Sequence, residues 1–192
     1  MRKTLTLLAA AATLSTAAVG SAFAAEYAID PTHTFATFEI GHFGASVNRG
    51  RFDKKDGKIV FDRAAKTGSV DISFDVASVN TGTAAFDKHL QSPDILDAVK
   101  YPKARFVSTQ FVFDGDKVSA VEGQLTLLGK TQPATLKANQ FNCFQHPMLK
   151  REVCGGDFET TIDRTAFGVN YGVDWGFPKA VRLVLQVEAV KQ

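Results

Sequence analysis

The chain has 192 residues, 45% of them hydrophobic, and carries 22 Lys plus Arg against 20 Asp plus Glu. Its first 24 residues read as a removable export signal whose loss takes away Arg2 and Lys3 but no acid, so the remaining chain is formally neutral. A neutral chain without a basic block excludes an electrostatic footprint for nucleic acid or anionic lipid surfaces, and about 168 residues suit one domain with its own core.

The amino-terminal stretch MRKTLTLLAAAATLSTAAVGSAFA has a basic start, an apolar middle and Ala22-Phe23-Ala24 as a small-x-small cleavage site. Cleavage is expected after Ala24, leaving 25–192 as the domain. The apolar run is short and broken by Thr and Ser, which argues against a retained span or stable membrane insertion. The expected location is the periplasm.

The next segment, TFATFEIGH, alternates with a period of two. Ala36, Phe38 and Ile40 share a face, as in a half-buried strand, and His42 follows on that face. A histidine in this position is read in two ways: as a core residue hydrogen-bonded to a neighbour, or as the polar end of an apolar slot.

GKIVFD opens after the Asp56-Gly57 turn signal, and GSVDISFDVASV (68–79) sets Val70, Ile72, Phe74 and Val76 against Ser69, Asp71, Ser73 and Asp75. Between Thr83 and Val99 the spacing of Phe86, Leu90, Ile95, Leu96 and Val99 is closer to helical. Ser92-Pro93-Asp94 resembles a helix start, so one or two short helices are expected around 83–99. ARFVSTQFVFDGD gives another strand and turn, and KVSAVEGQLTLLGKTQPATLKA reads as two strands hinged at Gly129 to Pro133. GGDFETTID and AVRLVLQVEAV complete the set, the last sending Val181, Leu183, Leu185, Val187 and Ala189 to one side. Many strands, hairpin turns and one helical insertion predict an all-β protein whose antiparallel sheet closes into a barrel, which also removes exposed edges.

Cys143 and Cys154 are the only cysteines and stand eleven positions apart. An even count at close spacing in an exported chain predicts a disulfide, worth roughly 3 kcal/mol in the chain-entropy account. The 16 Phe against 3 Tyr and 1 Trp give an interior poor in polar tips.

YAIDPTHTFATFEIGHFGASVNRGRFD, SVNTGTAAFDKHLQSPDILDAVKYPKARFVS, GQLTLLGKTQPATL and TTIDRTAFGV together resemble the YceI family, from about Tyr27 to Val190. The resemblance implies a lipocalin-like antiparallel β-barrel of about eight strands, holding a long polyisoprenoid or similar apolar chain. Its ligands would be polyprenyl phosphates, isoprenoid quinones or fatty-acid-like chains, with no cofactor. It places the family's histidines at His33, His42 and His89, its Asp-x-His-Leu at Asp87 to Leu90, and its Asp-Arg at Asp163 and Arg164. Phe86 stands where Arg is common.

Alternation and resemblance together make Phe38, Ile40, Val70, Ile72, Phe74, Leu90, Leu125, Leu127, Phe158 and Ile162 the expected wall of the slot, with His42, His89 and Arg164 at its polar end. For Arg164 the structural alternative is an ion pair with Asp163 or Asp87. The expected activity is binding and carriage, without catalysis. A lipid-modifying hydrolase or isomerase is the alternative, using His33, His42, Ser46 and Asp87, but neither Gly-x-Ser-x-Gly nor His-Glu-x-x-His occurs. Haem or metal binding is the weakest reading, since the four histidines are scattered and Cys-x-x-Cys-His is absent. Homodimers are common in folds of this kind, yet no stretch identifies an interface.

Overall fold

A computed structural model describes residues 24–192; the expected export signal lies almost wholly outside them. Eleven strands occupy eight positions around a closed antiparallel barrel. Strands β1 (Ala25–Ile29), β4 (Lys55–Asp62), β5 (Thr67–Asp75), β7 (Lys103–Asp114), β8 (Lys117–Leu127), β9 (Lys130–Gln145), β10 (Glu152–Asp163) and β11 (Ala180–Lys191) form the ring, which closes where β1 meets β11. Strands β2 (Phe35–His42), β3 (Ser46–Phe52) and β6 (Val79–Asn80) extend β1, β4 and β5 toward one end, β2 pairing with β3 and β3 with β6.

Each extension begins at a break with a local cause. Between β1 and β2, Thr34 is fully buried, and its hydroxyl donates to the Glu188 carbonyl at 3.0 Å and accepts from the Glu188 N–H at 3.2 Å. One side chain thus replaces the ladder bonds lost at the bend. The strand expected over 68–79 stops at Asp75, whose carboxylate accepts from Ala77 N–H and caps a 3-10 turn over Val76–Ser78. The apolar alternation runs on through this turn, so the break is invisible to it.

Helix α1 (Ala84–Leu90) is the one α-helix among the described residues, and Ser92-Pro93-Asp94 starts no second one. The carbonyls of Leu90, Gln91 and Ser92 instead accept from Leu96, Ala98 and Asp97 in a series of tight turns. Those turns bury Leu96 and Ala98 against Val76, Ala104 and Val169, sealing the wall above the last β5–β7 pair at Asp75 and Lys103. The hinge expected at Gly129 to Pro133 is confined to Leu128 and Gly129. Pro133 lies inside β9, opposite Gln124 and before the β9–β10 pairing begins at Lys137. Its missing N–H is tolerated because that flank of β9 is unpaired.

Cys143 and Cys154 face each other directly across β9 and β10 and are joined by a disulfide with S–S 2.04 Å. Around them, toward the end of the barrel where β1 begins and β11 ends, Tyr27, Phe61, Phe106, Val121 and Phe158 belong to the larger of two buried clusters. Among the described residues no helix is long and apolar enough to cross a membrane.

Candidate functional site

The half of the barrel built from β2, β3, α1 and the loop between β10 and β11 is not filled. It encloses a cavity of about 540 Å³, within the usual size of ligand sites. The alternation of TFATFEIGH puts all of Ala36, Phe38, Ile40 and His42 on its wall. Phe74, Leu90, Leu125, Leu127 and Ile162 join them, and His89 and Arg164 also line it. Ten of the thirteen residues expected from sequence are therefore brought together.

Val70, Ile72 and Phe158 are not. They line a second chamber of about 70 Å³ nearer the disulfide, so the single continuous slot expected from alternation is corrected to two. Alternation had their inward direction right but carries no information on depth along the barrel. Phe74, Phe106, Leu136 and Leu185 line both chambers and form the partition. Phe106 lies flat against β8 at Gly123, where an added Cβ would come within 2.5 Å of its Cζ.

At the open end the wall becomes aromatic. His42 meets Phe43 and Phe177 edge-on, with centroids 5.0 and 5.2 Å away, and Phe43 meets Phe177 at 4.7 Å. On the other side His89 packs on Tyr171 at 4.9 Å, and Tyr171 on Trp175 at 5.3 Å. Phe43 is 57% exposed and Trp175 64%. Phe43 also occupies the left-handed region, with φ 51°, in the β2–β3 turn, a costly conformation for a bulky side chain. The His42 imidazole makes no hydrogen bond to another described residue, so the core-histidine reading lacks the partner it requires.

Arg164 follows β10 directly and is 5% exposed. Its Nε donates to the Pro178 carbonyl at 2.9 Å, and its Nη1 donates to the carbonyls of Val169 at 2.9 Å and Tyr171 at 2.8 Å. These bonds fasten the loop that carries the mouth aromatics. Neither expected ion pair forms. The Asp163 carboxylate accepts from the N–H and hydroxyl of Thr165, and Asp87 accepts from the N–H and hydroxyl of Thr81. Burial pushes the Arg164 guanidinium below its ordinary pKa, with Asp163 opposing.

Of the residues weighed for catalysis, His42 and Ser46 are cross-strand partners in the β2–β3 hairpin, whereas the Asp87 carboxylate is taken up by Thr81 and His33 stands apart. His33 precedes β2 and His42 ends it, nine residues later along an extended strand. His33 is held instead by the Asp30 carboxylate at 2.8 Å. Burial pulls the Asp30 pKa upward, but hydrogen bonds from His33 and Thr32 outweigh it and bring it to about 2. His146 accepts the N–H groups of Met148 and Leu149 at Nδ1, capping the β9–β10 turn. Among the described residues no group of three or more His, Cys, Asp or Glu is placed to hold a metal ion.

Several wall residues escaped the sequence reading. Phe52, Phe86, Asn48, Val169, Tyr171, Trp175 and Phe177 all line the cavity. Phe52 and Asn48 lie on the same face of β3, and Phe86 is four before the expected Leu90 on α1, so periodicity carried a signal for these three. The loop residues have none.

The YceI-like domain family matches residues 27–189. A UPF0312 protein of Pseudomonas putida is 37% identical over 195 residues, covering all of this chain and 99% of its own. The Campylobacter jejuni YCEI protein superposes with a TM-score of 0.69 at 25% identity, over 80% of this chain and 90% of its own. A polyisoprenoid binding domain from Saccharophagus degradans, implicated in plant cell wall breakdown, shares the fold with a TM-score of 0.63 at 14% identity, over 86% and 98% of the two chains.

Proposed function

The chain belongs to the YceI-like family, and from that premise we propose that it is a periplasmic carrier that holds one long isoprenoid-type lipid in the larger cavity. The ligand class is a polyprenyl phosphate, an isoprenoid quinone or a fatty-acid-like chain, with no resident cofactor and no nucleic-acid partner. The observation that carries this reading is an apolar cavity of about 540 Å³ inside a closed barrel, open at an aromatic mouth. Phe38, Ile40, Phe74, Leu90, Leu125, Leu127 and Ile162 would contact the chain, His42, His89 and Arg164 the head. Val70, Ile72 and Phe158 would form the floor beneath the partition.

The energetics favour such a ligand without any steering charge. Moving an apolar chain out of water gains roughly 25 cal/mol per Å² of surface removed, and nearly all of the wall is hydrocarbon. The binding role named for the Saccharophagus domain of the same fold agrees with it. Export is supported by the amino-terminal pattern and by the Cys143–Cys154 disulfide, which persists in oxidising compartments.

Native mass spectrometry after incubation with geranylgeraniol tests the reading. One bound lipid per chain is expected, and Leu127→Trp, which fills the cavity wall, should abolish the adduct while leaving the barrel's circular dichroism intact. Unchanged uptake by the folded variant would refute it.

A further inference from the structure

The rim of the mouth turns large apolar side chains toward water. Phe43 and Trp175 are each more than half exposed, and Tyr171 and, on the β2–β3 hairpin, Val47 are exposed as well. Phe43, Tyr171 and Trp175 also line the cavity, so one apolar surface runs over the rim into the interior. Phe43 holds its place at a conformational cost. It is the first central residue of a β-turn closed by the Ala45 N–H, which donates to the His42 carbonyl at 3.0 Å, and φ is 51° at Phe43 and 74° at Gly44. Hairpin turns with both central residues at positive φ are ordinarily Asn-Gly or Asp-Gly, and a bulky ring there is strained. Contacts with His42 and Phe177 still leave most of that ring in water, so packing within the fold does not account for it. On the other side of the mouth, Trp175 ends the 3-10 turn Val173–Trp175, between Gly172 and Gly176 at positive φ. It is the only tryptophan in the chain.

We propose that the rim carrying Phe43 and Trp175 docks on the surface of a lipid bilayer, its rings entering the interfacial layer so that the mouth opens against lipid rather than water. This rests on the lipid-carrier reading above and adds the route by which cargo enters and leaves. A long apolar chain is costly to pass through water, and the mouth is where such a chain must cross between bilayer and cavity. That continuity favours a bilayer over a second copy of the chain. The residue types agree, because aromatic rings, tryptophan above all, suit the boundary between apolar and wet layers. The charge agrees too: the chain without its export signal is formally neutral, and Arg49 on the same hairpin is paired with Glu39 at 2.9 Å. The contact is therefore apolar and fits a zwitterionic surface. It is also peripheral, since a few side chains enter the interface and the barrel stays in water.

The lone tryptophan reports the contact directly. Phosphatidylcholine vesicles added to the purified protein should shift Trp175 emission to shorter wavelength, and vesicles of brominated phosphatidylcholine should quench it, alike at low and high salt. Phe43→Asn deletes the ring and supplies the residue that the turn favours. It should weaken partitioning in a vesicle-flotation assay about tenfold, with the Tm unchanged or raised. Met148→Ser removes an exposed apolar side chain from the β9–β10 turn at the far end of the barrel and should alter neither. Absence of shift and quenching, binding that high salt abolishes, equal losses in the Met148 variant, or a Phe43→Asn protein that loses Tm but partitions as before overturns the proposal. An emission shift that follows protein concentration without vesicles overturns it in favour of a second copy on the rim. Uptake of geranylgeraniol from solvent by a protein that binds no vesicle overturns the docking alone. Vesicle binding without uptake of that lipid supports the docking and overturns the carrier reading.

Discussion

Phe106→Ala should lengthen the lipid chain that the barrel accepts. The ring is 5% exposed and stands between chambers of about 540 and 70 Å³. Removing it opens space of the order of a benzene-sized cavity, about 150 Å³, and connects the two chambers. Together these hold about one to two further isoprene units at the volumes of such groups. Truncating a buried Phe costs about 3–5 kcal/mol from a domain stability of about 5–15 kcal/mol. For a domain of this size that lowers the Tm by about 6–20 °C, leaving a folded barrel to assay. Phe106→Leu keeps most of the volume and serves as the better-folded control. The assay titrates a series of polyprenols that differ by one isoprene unit. Wild-type affinity should stop rising at a chain length that fills the upper chamber, and the variant should go on rising by one or two units more. An identical length profile in the two folded proteins would refute the partition.

His42→Leu should weaken binding of an isoprenoid quinone more than of a headless isoprenoid, with a Tm change within about 1–2 °C, because no described hydrogen-bond partner is orphaned; a larger fall in Tm with unaltered selectivity would restore the core-histidine reading. Thiol labelling of denatured, unreduced protein should find neither Cys143 nor Cys154 free, and reduction should lower the Tm by about 6–12 °C for a staple worth roughly 3 kcal/mol. The hydrogen bond to Asp30 raises the His33 pKa, so its stabilising contribution is complete below the ordinary histidine value and is lost as pH rises through the raised one. The Asp30 side of the pair has a pKa lowered to about 2, so its contribution is present above the ordinary carboxylate value and lost as pH falls toward about 2. NMR titration should show His33 returning to the ordinary range in Asp30→Asn, and an unchanged midpoint would show the pair to be absent in solution.

Much of the barrel was legible because its strands are half-buried. Ala36 to His42 and Val70 to Phe74 alternate, as does Val181 to Ala189 apart from the outward Val184, and each inward set lies against the interior that the period predicts. The Cys143–Cys154 pair was legible from count and spacing. What escaped depends on contacts distant in sequence or on chain segments without a period. The stop at Asp75 arises from a side-chain cap within an unbroken apolar pattern. The partition depends on Phe106 meeting Gly123 on the neighbouring strand, and neither residue alone announces it. Arg164 was visible as a motif residue, but its three carbonyl partners come from the loop at Val169, Tyr171 and Pro178, whose path no periodicity describes. That loop also places Trp175 and Phe177 at the mouth, and for the same reason neither was among the expected site residues.

The central claim is that this barrel carries a single lipid in its larger cavity. Organic extraction of the protein purified from the cells that make it, followed by lipid mass analysis alongside native mass spectrometry of the intact protein, tests it most directly. The account predicts one isoprenoid or acyl chain per protein, released by solvent. A protein that emerges at its bare mass and takes up no isoprenoid or acyl lipid when one is offered would contradict it.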